Sequence, residues 1–371
     1  MRFPYHSLLL QTLLFPVFSG LIAFCAPAGA AADQPSPTVL VEEVPLPDAL
    51  SLCGEPMPLE RESVREMLDR ELTISAWDRA QVFMWLKRAG RYFPYIEEQL
   101  AKEGLPDDLK YLAVAESALI PHIRSRVGAM GHWQFMPQTA RSKGLRKDHQ
   151  IDERRDFEKS TEAAISYLKF LREKFGNWTL AMAAYNCGDS RLSKQMKNQR
   201  ADSYYRLSLP NETERYIFRI AAVKLILDDP SRYGYRIPET RVYRPVPCDK
   251  VRVRVSTSVP IVEVAEALGT DFKTIKDLNP HILGDHMPQG QYTVRVPPGN
   301  GPRLTRALND LASAFAANSD KIHKGNVYVV KPGDTLSAIS RRSGVPMDTI
   351  RRLNNIDGSV IRVGQRLKLD S

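Results

Sequence analysis

Apolar positions at Leu109, Leu112 and Ala113 recur with helical spacing, and the next position on that stripe is Glu116. The spacing predicts a helix whose inward face ends on a carboxylate. Pro106 with Asp107 and Asp108 suits its first turn, and Pro121 limits its run. The same period predicts a helix from Trp77 to Leu100, through Val82, Leu86, Tyr92 and Ile96. Another follows through Ala164, Leu168, Leu171 and Phe175, with Ser160 or Thr161 as its cap and Gly176 as its end. Ala181 to Ala184 suits close helix packing, and Gly188 suits the left-handed position after that helix. The chain before Tyr243 is therefore mostly α.

After Tyr243 the pattern changes. Val251 to Val255 alternates apolar and basic residues, as an edge strand does, and Val327 to Leu336 predicts a strand running into a turn and a helix. Leu304, Leu308, Leu311 and Phe315 mark a helix between them, and Asn318 to Asn326 is expected to be a polar linker. An internal repeat is present: Val264, Gly269, Ile275, Leu278 and Asn279 keep the order and spacing of Ile339, Gly344, Ile350, Leu353 and Asn354. The first copy has only Ser258-Val259-Pro260 opposite the Gly333-Asp334-Thr335 turn, so it is expected to keep the fold better than any binding.

A carboxylate on a buried stripe matters chemically, because burial disfavours the charged form and raises the pKa towards the value a general acid needs near neutrality. The segment Ser125 to Pro137 then joins glycines, aromatics and an amide in a loop too irregular for a core element. Trp133 and Gln134 together offer a flat face and hydrogen-bonding groups, the combination that suits a sugar ring. At 371 residues the chain has room for two or three domains, and its net charge of +9 suits an anionic polymer without choosing among such polymers. No zinc-spaced Cys/His set, glycine-rich phosphate loop or basic recognition helix is visible, so no metal, cofactor or nucleic-acid partner is expected.

The run Glu116-Ser117, then Gly128-Ala129-Met130-Gly131-His132-Trp133-Gln134-Phe135-Met136-Pro137, then Asp152 to Arg155, Ala184-Tyr185-Asn186-Cys187-Gly188 and Leu209 to Tyr216, resembles the lytic transglycosylases with a goose-type-lysozyme-like domain. The likeness covers roughly Arg61 to Asp228. His132 stands where the family usually has Leu, and Cys187 where it has Ala or Gly. The stretch from Val327 to Leu369 resembles a LysM domain, a small βααβ unit that binds N-acetylglucosamine-containing glycans.

The resemblance implies a multidomain chain, a mainly α lysozyme-like catalytic domain followed by α+β LysM modules. The expected divisions are a signal peptide over 1–32, a disordered or extended segment over 33–60, the catalytic domain over 61–240, a degenerate LysM-like module over 249–298, a helix and linker over 301–326, and the LysM domain over 327–369. It implies Glu116 as the one catalytic carboxylate, with Ser117, Ser125, Gly131, Gln134, Phe135, Met136, Tyr185, Asn186 and Tyr216 binding substrate. In the LysM copy, Gly333, Asp334, Thr335, Leu336, Asn354, Asn355 and Ile356 would meet glycan. The implied reaction is cleavage of the MurNAc-GlcNAc bond of peptidoglycan with a 1,6-anhydro product, in a monomer, with peripheral membrane association left open. A hydrolytic muramidase using Asp152, Glu153 or Asp156 to activate water, and a noncatalytic LysM binding protein, are the alternatives. The Arg154 and Arg155 neighbours favour a salt-bridged structural role for those carboxylates.

Arg2, the apolar run from Leu8 to Phe24 and the small residues Ala26 to Ala32 predict a cleaved signal peptide and export to the periplasm or cell envelope. A lipoprotein anchored through Cys25 is the less favoured alternative, since Phe24 stands where Gly or Ala is wanted. In an oxidising compartment Cys53 and Cys248, which bracket the catalytic domain, are expected to pair, with Cys187 left as a small buried hydrophobe.

Overall fold

The structure is a computed structural model and describes residues 43–322 and 327–369. The expected signal peptide and Cys25 lie outside the described residues. A short hairpin, β1 (Ser51–Leu52) and β2 (Glu55–Pro56), comes first, followed by α1 (Glu62–Trp77) and α2 (Arg79–Lys102). The predicted helix from Trp77 is thus a second helix, which starts beyond Asp78, whose side chain caps it by accepting from the Gln81 amide. Then come α3 (Lys110–Ser117), α4 (Pro137–Ser142), α5 (Phe157–Phe175), α6 (Trp178–Cys187), α7 (Asp189–Gln199) and α8 (Asn211–Asp228). The cap of α5 is Asp156, not Ser160 or Thr161; its carboxylate accepts from the Glu158 and Lys159 amides, while both hydroxyl residues lie buried one turn inside.

In this helical part α1 and α3 both pack on α8, and α5 packs on α6. The stripe that predicted α3 is buried, with Leu109, Leu112 and Ala113 each fully enclosed. Val64, Leu68 and Leu72 of α1 and Ile217, Ile220 and Ala221 of α8 continue the same core. The stretch before α1, expected to be disordered or extended, is extended and packed in its described part: Leu52, Met57 and Leu59 are buried in that core. Glu55 explains why it stays there, since its carboxylate accepts from the Trp178 and Thr179 amides at 2.6 and 3.0 Å, at the start of α6.

The second part begins with β3 (Asp249–Val255) and β4 (Val259–Pro260), continues through α9 (Ile261–Ala267), α10 (Phe272–Leu278), β5 (His286–Met287) and β6 (Gly290–Val296), and ends in α11 (Gly301–Ile322). β3 pairs antiparallel with β6, placing Val253 opposite Tyr292 and Val251 opposite Val294. Leu304 and Leu308 of α11 join its core. The helix runs on to Ile322, so the polar linker expected from Asn318 is helical over its first five residues. The side chain of Phe315 lies outside the described residues.

The last part is β7 (Val327–Val329), α12 (Leu336–Ser343), α13 (Met347–Asn354) and β8 (Arg366–Lys368), with β7 and β8 antiparallel. The repeat is visible in one hydrogen-bond pattern. Asn279 donates to the Ile275 and Arg295 carbonyls and accepts from the Arg295 amide; Asn354 does the same with Ile350 and Lys368. Each asparagine ties the end of a module's second helix to its closing strand.

The second part is joined to the first by a strand-like seam. Ile151 bridges Ile282 and is fully buried in the core of the LysM-like module. Backbone bonds run from Asp152 N to His281 O at 2.9 Å and from Leu283 N to Gln150 O at 2.7 Å. Arg295 grips Asp156 with both terminal nitrogens, at 2.7 and 3.0 Å. Among the described residues no helix is long and apolar enough to cross a membrane.

Candidate active site

Glu116 occupies the last turn of α3, which stops because Ala118 and Leu119 both take left-handed backbone conformations, with φ of 50° and 56°. Neither is glycine, so each is strained by about 1–2 kcal/mol. The surroundings hold them. The Leu119 amide donates to Ser117 Oγ at 3.1 Å, Arg88 of α2 donates to the Ala118 carbonyl at 3.0 Å, and the Leu119 side chain is fully buried. This abrupt stop turns the helix end into one wall of a recess.

Tyr216 of α8, itself buried, donates its hydroxyl to Glu116 Oε1. Tyr185 of α6 stands close enough for the Glu116 charge to be felt at its hydroxyl, which donates to the Trp133 carbonyl at 2.8 Å. Burial lifts the Glu116 carboxyl from the ordinary carboxylate range to about 7; the Tyr216 hydroxyl and the Arg219 charge oppose that rise, and Glu212 adds to it. Asn186 is locked to α8 through Thr213 Oγ1, which donates to its Oδ1 at 2.9 Å. Glu116, Tyr185 and Tyr216 therefore come from three helices and lie within electrostatic reach of one another, and Asn186 is tied to the helix that carries Tyr216.

The loop over 123–136 is built differently from the expected sugar-binding wall. Trp133 is fully buried and gives its indole N–H to Thr161 Oγ1 at 2.9 Å, so it is a core anchor and not a sugar platform. Ser117 is buried too: it donates to the Ala113 and His132 carbonyls, so its hydroxyl positions the loop and is not presented to substrate. Phe135 is buried against Tyr185 at 5.9 Å between ring centroids, and supports that tyrosine from behind. Gly131 has φ of 80°, and a Cβ there would lie 2.0 Å from the Arg154 carbonyl oxygen, so this glycine serves the close approach of two backbones. Gln134 spends its amide N–H groups on the Ile123 and Gly131 carbonyls and keeps Oε1 without a protein donor. Ser125 accepts from the Ala129 amide within the loop, and Met136 is exposed at its edge.

Arg154 was not singled out by the sequence reasoning as a holder of this loop. Its guanidinium reaches the Gly128 and Phe135 carbonyls at 2.8 and 2.9 Å while paired with Asp152 at 2.7 Å, and both side chains are buried. The salt-bridged reading of 152–156 thus describes what is there: Asp152 holds Arg154, Glu153 holds Lys159 and the Arg146 amide, and Asp156 holds Arg295. Glu71 was missed as well. It is buried in α1, binds Arg215 at 2.7 Å and lies 3.8 Å from Arg219, which faces Glu116. Its place on the Val64, Leu68, Leu72 stripe is the same signal that found Glu116.

In the LysM copy, Asp334 accepts from the Tyr328 hydroxyl and the Lys331 amide and pairs with Arg342, Thr335 caps α12, and Leu336 is buried. With Asn354 engaged as described, all four side chains help to hold the module together. Gly333 and Asn355 are turn positions with positive φ, and Asn355 is exposed beside half-buried Ile356. Cys53, Cys187 and Cys248 are all free thiols. The expected Cys53–Cys248 bridge is corrected: the Cys53 thiol lies near Asp108, Glu55 and Lys224, whereas Cys248 lies near Arg295, Lys250 and Glu158. No group of His, Cys, Asp or Glu fit to hold a metal occurs among the described residues.

Three stretches of the chain match known domain families. Residues 93–207 match the transglycosylase SLT domain, residues 250–313 the LysM-like domain of lytic transglycosylase MltD, and residues 328–370 the LysM domain. The chain is 33% identical over 293 residues to the membrane-bound lytic murein transglycosylase D of Escherichia coli strain K12; the match takes in 76% of this chain and 64% of that relative's length. Over 88 residues it is 39% identical to the peptidoglycan transglycosylase gp16 of phage T7, covering 23% of this chain and 7% of that one. The 70 kDa soluble lytic transglycosylase Slt70 of Escherichia coli is a further neighbour, at 21% identity and a TM-score of 0.34 over 49% of this chain and 32% of that one. The chain therefore carries a stretch matching the transglycosylase SLT domain, followed by stretches matching the MltD-type LysM-like domain and the LysM domain, and it spans less than two thirds of the length of the curated relative it matches.

Proposed function

We propose that this protein is a lytic transglycosylase that cuts the MurNAc-GlcNAc bond of peptidoglycan and leaves 1,6-anhydro-MurNAc ends. The observation that carries the reading is Glu116, a carboxyl held near neutrality by burial and bonded to a buried tyrosine hydroxyl. Glu116 in its protonated form gives its proton to the glycosidic oxygen as the bond from that oxygen to C1 breaks. The carboxylate so formed takes the proton of the same sugar's C6 hydroxyl while O6 bonds to C1. Glu116 ends as it began, and no water enters. One residue works as acid and then as base, and a pKa of about 7 leaves both forms accessible at neutral pH. Tyr216 steadies the carboxylate form, Tyr185 and Asn186 line the recess, and Gln134 Oε1 is available to a sugar hydroxyl or amide.

A hydrolytic muramidase commonly needs a second carboxylate to activate water or bind the sugar. The carboxylates at 152, 153 and 156 are each committed to a cation in this structure. The LysM copy would tether the enzyme to glycan through the surface around Asn355 and Ile356. Mass spectrometry of fragments released from sacculi tests the reading: anhydro ends are lighter by one water than hydrolysed ends. Release of reducing, hydrolysed ends assigns a muramidase instead, and no release by the folded protein leaves a glycan-binding protein.

A further inference from the structure

A cleft of about 940 Å³ opens away from Glu116, between the helical domain and the LysM-like module. Tyr92, Tyr95 and Phe157 form its aromatic side, Leu278 and Pro280 face them from the module, and the connecting segment 245–248 makes its rim. Its charges are unevenly matched. Each of its three carboxylates has a cation: Asp156 has Arg295 at 2.7 Å, Glu158 has Lys250 at 2.6 Å, and Asp277 has Lys273 at 2.5 Å. Arg91 and Arg155 line the same cleft and form no ion pair among the described residues. Arg91 donates Nε to the Arg244 carbonyl at 3.1 Å and lies over the Tyr243 ring at 5.1 Å, with no carboxylate partner among the described residues, and Arg155 Nε is buried with no hydrogen-bond partner.

At the back lies His132, 1% exposed, packed edge-on to Tyr92 at 4.5 Å and against Phe157 at 4.9 Å. Both of its ring nitrogens lack a partner. Such a group is costly while it stays unsatisfied, and an apolar side chain of similar size would carry none of that cost. Burial and the neighbouring His122 hold the ring neutral, with a pKa of about 3, so it can donate from one nitrogen and accept at the other. A neutral amide is the natural partner for such a ring, and a carboxylate for two guanidiniums that have no acidic partner.

We infer that this cleft is a second binding site, taking a short peptide whose carboxylate sits between Arg91 and Arg155, whose amides meet His132, and whose aliphatic parts lie on Tyr92, Tyr95 and Phe157. The peptide carboxylate could come from a wall stem peptide or from a protein, and the assignment to the wall rests on the function proposed above. Titration calorimetry on the full chain separates these. The probes are the stem tripeptide L-Ala-γ-D-Glu-meso-diaminopimelate, the α-linked peptide Ala-Glu-Lys and inorganic phosphate. The stem peptide is expected to bind, and Arg91→Ala, Arg155→Ala and His132→Leu each to weaken it by roughly 10-fold or more. His132→Leu should melt no lower than the parent, so loss of binding there cannot be blamed on unfolding. Preference for the stem peptide ties the site to the wall; equal binding of both peptides upholds the carboxylate site without that tie. Affinity unchanged in all three variants, or displacement of the peptide by phosphate at equal concentration, overturns the inference. None of the probes has a glycosidic bond, so this outcome is independent of whether sacculi are cut.

Discussion

At the scale of single residues, the carboxyl of Glu116 and the hydroxyl of Tyr216 make separable predictions. Glu116→Gln should abolish cleavage and keep the fold. Its stability should also respond to pH in a defined direction. The folded carboxyl has its pKa raised, so the native state holds the proton more tightly than the unfolded chain; the stability this contributes is full below the unfolded value and lost as pH rises through about 7. The Gln variant should therefore melt higher than the parent at pH 8 and converge with it towards pH 4, by calorimetry. Tyr216→Phe removes a bond that favours the charged form, so the alkaline limb of the pH-rate profile should move upward while the rate falls about 10- to 100-fold. A limb that stays in place would detach Tyr216 from the acid. Glu116 was legible because a charge on an apolar stripe is visible in spacing alone, whereas Tyr216 came only from the resemblance of the stretch Leu209 to Tyr216. Trp133 and Ser117 were misread for the complementary reason: their types suit both a core and a sugar site, and only the fold shows where the indole N–H and the hydroxyl spend their bonds.

At the scale of elements, α2, α3, α5 and α11 followed from periodicity, and Gly176 and Gly188 close α5 and α6 as expected, but other ends did not follow. The stop of α3 is made by Ala118 and Leu119, residues with no preference for the left-handed region, and is enforced by Arg88 and Ser117 from elsewhere. The start of α5 is set by an aspartate that also belongs to an ion pair with the next module, which a cap search centred on hydroxyl residues passes over. The loop between α3 and α4 should be the most sensitive element. Gly131→Ala puts a methyl 2.0 Å from the Arg154 carbonyl at a positive φ, and is expected to cost about 2–4 kcal/mol in denaturant melts, with a large loss of cleavage because the recess wall shifts. The repeat was readable at this scale as well, through the equivalence of Asn279 and Asn354. Asn279→Ala should loosen the LysM-like module by about 1–3 kcal/mol, seen as earlier hydrogen exchange at the amide of Arg295.

At the scale of the whole molecule, targeting and chemistry should separate at one place only. A chain ending at Ile322 lacks the LysM copy and is expected to cut short soluble strands at nearly the full rate, yet to pull down poorly with sacculi and digest them slowly at low enzyme concentration. The deficit should shrink as enzyme is raised; lost turnover on soluble strands by a folded truncation would place the LysM copy in the active site. The seam between the SLT domain and the LysM-like module could not be read from the sequence, since Ile151 looks like an ordinary loop residue and its partner Ile282 lies far along the chain. That seam has a wider consequence. Ile151 completes a core on the far side of the domain division, and the loop that carries it also carries Arg154, which holds the wall beside Glu116. Unfolding of the LysM-like module would therefore be felt beside Glu116, and the two parts would lose structure cooperatively. The piece of chain that melts, exchanges and is inherited as one unit would extend well past the boundary that sequence similarity draws.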